Sequence, residues 1–146
     1  MKLRALVIDD SRVMRNMVME SLRRTQLADF EFSEAEDGAD GVTKFNPKAT
    51  DIVFVDWNMP KMSGIDFVRK IRATHKNCDV PIIMVTSEKT MGKVEEALDK
   101  AGANAYIAKP FTIEYMQKKI SPIVNELEAK GGSKQGKGFF GKLMGG

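Results

Sequence analysis

Residues Ile52–Val55 read Ile-Val-Phe-Val, four apolar side chains in a row, and the run ends directly on Asp56. Successive side chains of a strand point to opposite faces of its sheet, so a strand of this kind needs cover on both sides. A sheet with one face open to water is thereby excluded. Short apolar runs of the same type recur at residues 3–8, 30–35, 81–85 and 104–108. Five strands are expected, each buried between layers.

The intervening segments carry apolar residues at helical spacing. Ser11 is placed to cap a helix that turns Met14, Met17, Val18, Ser21 and Leu22 inward. Residues 38–46 support a short helix ended by Pro47, and residues 64–74 present Ile65, Phe67, Val68 and Ile71. Residues 92–101 present Val94, Ala97 and Leu98. Residues 112–129 present Tyr115, Met116, Ile120, Ile123, Val124 and Leu127, with Pro122 as a point of kinking. Of Met14, Met17 and Met19, two are expected in the core. Strand and helix therefore alternate five times, which predicts an α/β doubly wound fold: a parallel sheet, right-handed crossovers and helices on both faces.

A chain of 146 residues suits one domain that needs no covalent staple. We place that domain at residues 1–129. Cys78 is the single cysteine, which excludes an intrachain disulfide, and with no leader pattern the chain is expected in the reducing cytoplasm. The first apolar run stops at Asp9-Asp10, too short to cross a membrane. The net charge of +3 comes from the end of the chain: four of the 23 Lys and Arg lie in residues 130–146, which hold no acid, leaving 19 against 20 acids before them. The folded part is thus near neutral and no DNA binder. Residues 130–146 are Gly-rich and basic, and flexibility is expected there. Within them Phe139, Phe140, Leu143 and Met144 would share one helical face beside Lys137 and Lys142. Three roles stand open for this tail: docking on a partner or on the protein's own output face, contact with a membrane surface, or none.

In an open α/β sheet, ligands gather outside the carboxyl ends of the strands. Those ends read Asp9-Asp10 after the first strand, Asp56 after the third, Thr86-Ser87 after the fourth and Lys109 after the fifth. Aspartates where a nucleotide site would place glycines repel phosphate, so dinucleotide and flavin binding are excluded. Three converging carboxylates oppose folding unless a cation joins them, and an all-oxygen donor set suits one Mg²⁺. A carboxylate fixed between such an ion and the Lys109 ammonium, with the Thr86 hydroxyl nearby, is arranged to attack a phosphoryl group and to stabilise its oxygens. The expected product is an aspartyl phosphate on Asp56. Trp57 is read as packing beside the site, His75 as surface and Cys78 as an inert loop thiol.

The set Asp9-Asp10, Asp56, Thr86 and Lys109-Pro110 resembles that of response-regulator receiver domains over about residues 3–128. The runs Ala35-Glu36-Asp37-Gly38, Asp56-Trp57-Asn58-Met59-Pro60, Met84-Val85-Thr86 and Lys109-Pro110-Phe111-Thr112 are similar to CheY-type chemotaxis regulators in particular. The resemblance implies the flavodoxin-like strand order 2-1-3-4-5, for which CheY is itself a standard example. It also implies that Asp56 accepts the phosphoryl group, that Asp10 binds Mg²⁺ directly and Asp9 through water, and that the Asn58 carbonyl completes the shell. Lys109 would contact the phosphoryl group, Thr86 would move to hydrogen-bond it, and Tyr106 would turn inward in the active state. Asn58 and Glu88 would tune loss of the phosphoryl group, Ser87 would affect partner contacts, and the Lys109–Pro110 bond would be cis. The face of the fourth helix, fifth strand and fifth helix would report the state. The implied partners are a histidine kinase and a downstream target, the flagellar switch for a chemotaxis regulator, with an assisting phosphatase left open. The implied protein is a mostly monomeric cytoplasmic switch, not an enzyme beyond self-catalysed phosphotransfer and autodephosphorylation.

Two other classes remain at this point. A phosphatase or dehalogenase-like hydrolase shares such a sheet, but the phosphatases of that kind need a second acid two residues after the nucleophile, where this chain has Asn58. A receiver outside motility, passing phosphate along a relay or localised through its tail, fits the same residues.

Overall fold

The computed structural model describes residues 1–88 and 90–131. The tail positions Phe139, Phe140, Leu143 and Met144 lie outside the described residues. The strands are β1 (Lys2–Ile8), β2 (Asp29–Ala35), β3 (Ile52–Val55), β4 (Ile82–Thr86) and β5 (Ala105–Ala108). The helices are α1 (Arg12–Thr25), α2 (Gly38–Lys44), α3 (Gly64–Thr74), α4 (Met91–Glu95), which continues as a π-helical segment (Glu96–Ala101), and α5 (Ile113–Ala129). All strand pairs are parallel. The sheet order is β2-β1-β3-β4-β5, so strand order reverses between β1 and β3.

The run at Ile52–Val55 does what its pattern requires. Val53 and Val55 pack on one face with Leu6, Ile8, Ile82, Met84 and the α3 residues Phe67, Val68 and Ile71. Ile52 and Phe54 pack on the other with Val7, Ile83, Ile107, Leu22 of α1, and Met116, Ile120 and Val124 of α5. Each of the four is 0–1% exposed. At about 1.5–3 kcal/mol per large apolar side chain removed from water, this double layer fixes where β3 ends, and with it Asp56.

Four helices start on side-chain caps. Ser11, Asp37, Ser63 and Thr112 accept from the backbone N–H groups of Met14, Asp40, Asp66 and Tyr115. Gly64 begins α3 for a steric reason: a Cβ there would stand 1.9 Å from the Asp56 carbonyl oxygen. Its N–H donates to the Trp57 carbonyl at 2.8 Å. The first turn of α3 thus sits against the backbone that carries Asp56.

Several expectations are corrected. Of Met14, Met17 and Met19 only Met19 is buried, with Met14 half-buried and Met17 49% exposed, while Val18, Ser21 and Leu22 turn inward as the spacing predicts. Tyr115 is 38% exposed while its neighbour Met116 is fully buried. β2 alternates exposed and half-buried residues as an edge strand does, with only Ala35 fully buried. The fourth helix is divided, since the chain widens to π-helical geometry from Glu96 and ends at Gly102 with φ 98. α2 ends at Lys44, short of Pro47. α5 runs through Pro122 without a break. His75 is half-buried, its ring 5.5 Å from that of Phe45.

Candidate functional site

The carboxyl ends of β1, β3, β4 and β5 bring Asp9, Asp10, Asp56, Thr86 and Lys109 to one rim. One carboxylate oxygen from each of Asp9, Asp10 and Asp56 lies within 4.8 Å of the others. Asp9 and Asp56 are 4% and 9% exposed, whereas Asp10 faces solvent. Thr86 is fully buried. Its carbonyl accepts from the Lys109 N–H at 2.9 Å, which locks the end of β4 to the residue that carries the ammonium. The Lys109–Pro110 bond is cis.

Every oxygen of the two buried acids has work. Asp9 Oδ1 accepts from the Ser11 N–H at 2.9 Å, and Asp9 Oδ2 accepts from Lys109 Nζ at 3.2 Å. Arg15 Nη1 donates to the Asp9 carbonyl at 2.7 Å while its Nε donates to Glu34 Oε1, so α1 and β2 together hold the Asp9 backbone. Asp56 Oδ1 accepts from the Trp57 N–H at 2.8 Å, and Asp56 Oδ2 stands 3.6 Å from Lys109 Nζ. Thr86 Oγ1 accepts from the Glu88 backbone N–H at 3.4 Å.

These contacts do not fully compensate the charge. Burial pushes the Asp56 carboxyl above its ordinary value, against the opposing pull of the Thr86 hydroxyl and the Lys109 ammonium, and the neighbouring Asp9 charge adds to the rise. One ammonium faces three carboxylates. A hard divalent cation fits this donor set: carboxylate oxygens from three strand-end aspartates, one of them solvent-facing so that water can complete a shell.

A second layer closes over the rim. Asn58 Nδ2 donates to Glu88 Oε1 at 3.1 Å, joining the loop after β3 to the loop after β4. The Glu88 carbonyl accepts from the Tyr106 hydroxyl. Tyr106 is 6% exposed, so its ring points inward, and burial followed by the charges of Glu88 and Asp56 pushes its hydroxyl up to about 12. Ser87 is exposed at the rim.

Two contributors were not singled out from sequence. The sequence places Gly64 only at the start of a helix; its close approach to the Asp56 carbonyl is set by the fold. Lys93, whose Nζ lies 4.7 Å from the centroid of the Trp57 ring, had no sequence signal, because the contact joins segments that only the fold brings together.

The family model for the response regulator receiver domain matches residues 5–121. Chemotaxis protein CheY1 of Helicobacter pylori is 40% identical over 123 residues, covering 84% of this chain and 97% of that relative. The chemotaxis protein CheY homolog of Campylobacter jejuni is 39% identical over 132 residues, covering 88% and 98%. Among solved structures, chemotaxis protein CheY4 of Vibrio cholerae superimposes with a TM-score of 0.69 at 30% identity, covering 81% of this chain and 95% of that one.

Proposed function

The chain belongs to the response regulator receiver domain family, and from that premise we propose that residues 1–129 form a switch set by phosphorylation of Asp56. The observation that carries this reading is the position of Asp56, nearly buried, with two further acids on one side and the Lys109 ammonium and Thr86 hydroxyl on the other.

The donor is the phosphohistidine of a histidine kinase. A carboxylate oxygen of Asp56 forms the new O–P bond as the P–N bond breaks, and the imidazole keeps that electron pair. Asp9, Asp10, Asp56 and the carbonyl of Asn58 would hold one Mg²⁺, which when bound offsets the negative charge of the phosphoryl oxygens. Lys109 does the same from the other side, and Thr86 has the hydroxyl to donate to one oxygen. Attack by water on the acyl phosphate returns the carboxylate and releases phosphate. Asn58 and Glu88, hydrogen-bonded to each other, would influence access of that water.

Tyr106 lies inward in this structure, its hydroxyl donating to the Glu88 carbonyl. Phosphorylation would shift the population between two arrangements of Thr86 and Tyr106. Taking such an equilibrium from 1:99 to 99:1 requires about 5.5 kcal/mol. A single ion pair supplies about 4 kcal/mol gross at an effective dielectric of 20, less after desolvation. Binding of the target supplies the rest, and by reciprocity the target raises phosphorylation.

The likeness to chemotaxis regulators supports the flagellar switch as the target, met through the face of α4, β5 and α5, with Ser87 at its border. A monomeric cytoplasmic protein fits this role, with a phosphatase as a further partner. No helix among the described residues is long and apolar enough to cross a membrane.

Incubation with Mg²⁺ and acetyl phosphate tests the chemistry. One phosphoryl group per chain on wild type and none on Asp56→Asn is the expected result; steady release of phosphate from small phosphomonoesters would point to a hydrolase instead. A pull-down with and without donor identifies the target, and normal swimming of a deletion strain would move the protein out of motility.

A further inference from the structure

Helix α4 is held in an unusual way. None of its five residues is buried, and Thr90 at its N-cap makes no side-chain capping bond. Its continuation is better anchored: Ala97 and Ala101 are buried, and Glu96 accepts from Arg69 of α3 at 2.5 Å. Towards the site, Val94 adds a partly buried contact to the core. Lys93 is also half-buried, with its ammonium 4.7 Å from the centroid of the Trp57 ring.

Trp57 is itself fixed. It is 6% exposed, its backbone N–H donates to Asp56 Oδ1, and its carbonyl accepts from the Gly64 N–H. An ammonium within about 6 Å of an indole centroid is attracted by the ring's electron-rich face. The aliphatic stem of the lysine covers apolar ring surface as well. On an element with no fully buried residue, one such contact beside that of Val94 is a large share of what keeps it in place.

We propose that Lys93 is a positioning residue that ties α4 to the Asp56 segment through the Trp57 ring. Two covalently adjacent residues, Asp56 and Trp57, then link the reacting carboxylate to the helix. A change of charge at Asp56 shifts the Trp57 backbone, and the ring carries that shift to the Lys93 ammonium. The tether itself is independent of the chemistry assigned to Asp56; its use as a signal path rests on the phosphorylation reading.

Amide hydrogen exchange and Trp57 emission on the full chain test both halves, comparing wild type, Lys93→Met and Lys93→Arg. Without donor, Lys93→Met speeds exchange of the α4 amides roughly five-fold, the size expected of a partly exposed cation–π contact. It also alters Trp57 emission and leaves α3 and α5 unchanged. Lys93→Arg, whose guanidinium also stacks on aromatic faces, behaves as wild type. With Mg²⁺ and acetyl phosphate, exchange in α4 changes in wild type and Lys93→Arg but not in Lys93→Met, although Asp56 is labelled to the same extent. The tether is overturned if α4 exchange in Lys93→Met stays within two-fold of wild type, or if the two variants are equally affected. Its role as a signal path is overturned if the α4 response to donor persists in Lys93→Met. Failure of wild type to accept a phosphoryl group would sink the functional reading alone, because the donor-free comparison still decides the tether.

Discussion

The ammonium of Lys109 lies 3.6 Å from the Asp56 carboxylate, and the same nitrogen donates to Asp9 at 3.2 Å. Without a metal ion it is the cation that keeps two nearly buried acids tolerable. Lys109→Met is therefore expected to lower stability in the presence of a chelator by about 2–3 kcal/mol, somewhat less than for a fully buried pair. The same change removes a positive charge that repels a divalent ion. Affinity for Mg²⁺, followed by Trp57 emission, should rise about tenfold, equivalent to about 1.4 kcal/mol. Thermal unfolding with saturating Mg²⁺ should recover much of the lost stability. An unchanged Mg²⁺ affinity would show that Lys109 points away from the acids in solution.

Asp56→Asn tests the raised carboxyl. Because the folded pKa lies above the ordinary value of 3.8, the native state holds this proton more tightly than the unfolded chain. Ionisation of Asp56 thus costs stability once the pH exceeds the raised pKa, and the cost is absent below the unfolded value. In chelator, the asparagine variant should be more stable than wild type at neutral pH. That advantage should shrink as pH falls through the folded pKa. Urea unfolding of both proteins across this range measures the difference, and a gap that widens on acidification would reverse the sign of the effect.

Much of this site is legible in the sequence. Asp9, Asp56, Thr86 and Lys109 each end an apolar run, and once the runs are strands of one parallel sheet their ends must share a rim. Ile52–Val55 gave the two-sided cover of β3 directly. The errors fell where the pattern is degenerate. Met17-Val18-Met19 offers three apolar residues in sequence, and only packing against β1 and α5 decides which two turn in. Tyr115-Met116 poses the same choice at the start of α5. The π-helical turn at Glu96–Ala101 has no local signature in the sequence, where the apolar spacing reads as one continuous helix. Lys93 over Trp57 joins residues distant in sequence, and neither residue alone foretells the other.

Gly64→Ala should be among the more damaging single-atom-scale changes near the site. The new Cβ would fall 1.9 Å from the Asp56 carbonyl oxygen, and this neighbour is backbone that cannot rotate away. Overpacking of this kind costs about 1–3 kcal/mol. The first turn of α3 must withdraw from the Trp57 carbonyl, which moves the Asn58 loop with it. Equilibrium unfolding should show the lost stability, and Mg²⁺ titration a weakened affinity. Wild-type values for both would mean that the loop is free to adjust.

Tyr106→Phe separates two consequences of one hydroxyl. Near pH 8 the variant loses the bond to the Glu88 carbonyl, and a stability loss of about 1 kcal/mol is expected. In alkali the balance changes. The folded hydroxyl is pushed from 10.0 up to about 12, so as pH rises from about 10 the unfolded chain ionises Tyr106 first and wild type is destabilised. The phenylalanine variant carries no such group at this position, while every other titrating side chain is common to both proteins. The stability difference should therefore narrow between about pH 10 and 12 and can change sign. Urea unfolding near pH 8 and about pH 11, with tyrosinate absorbance as the monitor of ionisation, gives the comparison. A difference that stays constant across that interval would place Tyr106 in solvent and remove it from the inward position that couples the rim to β5.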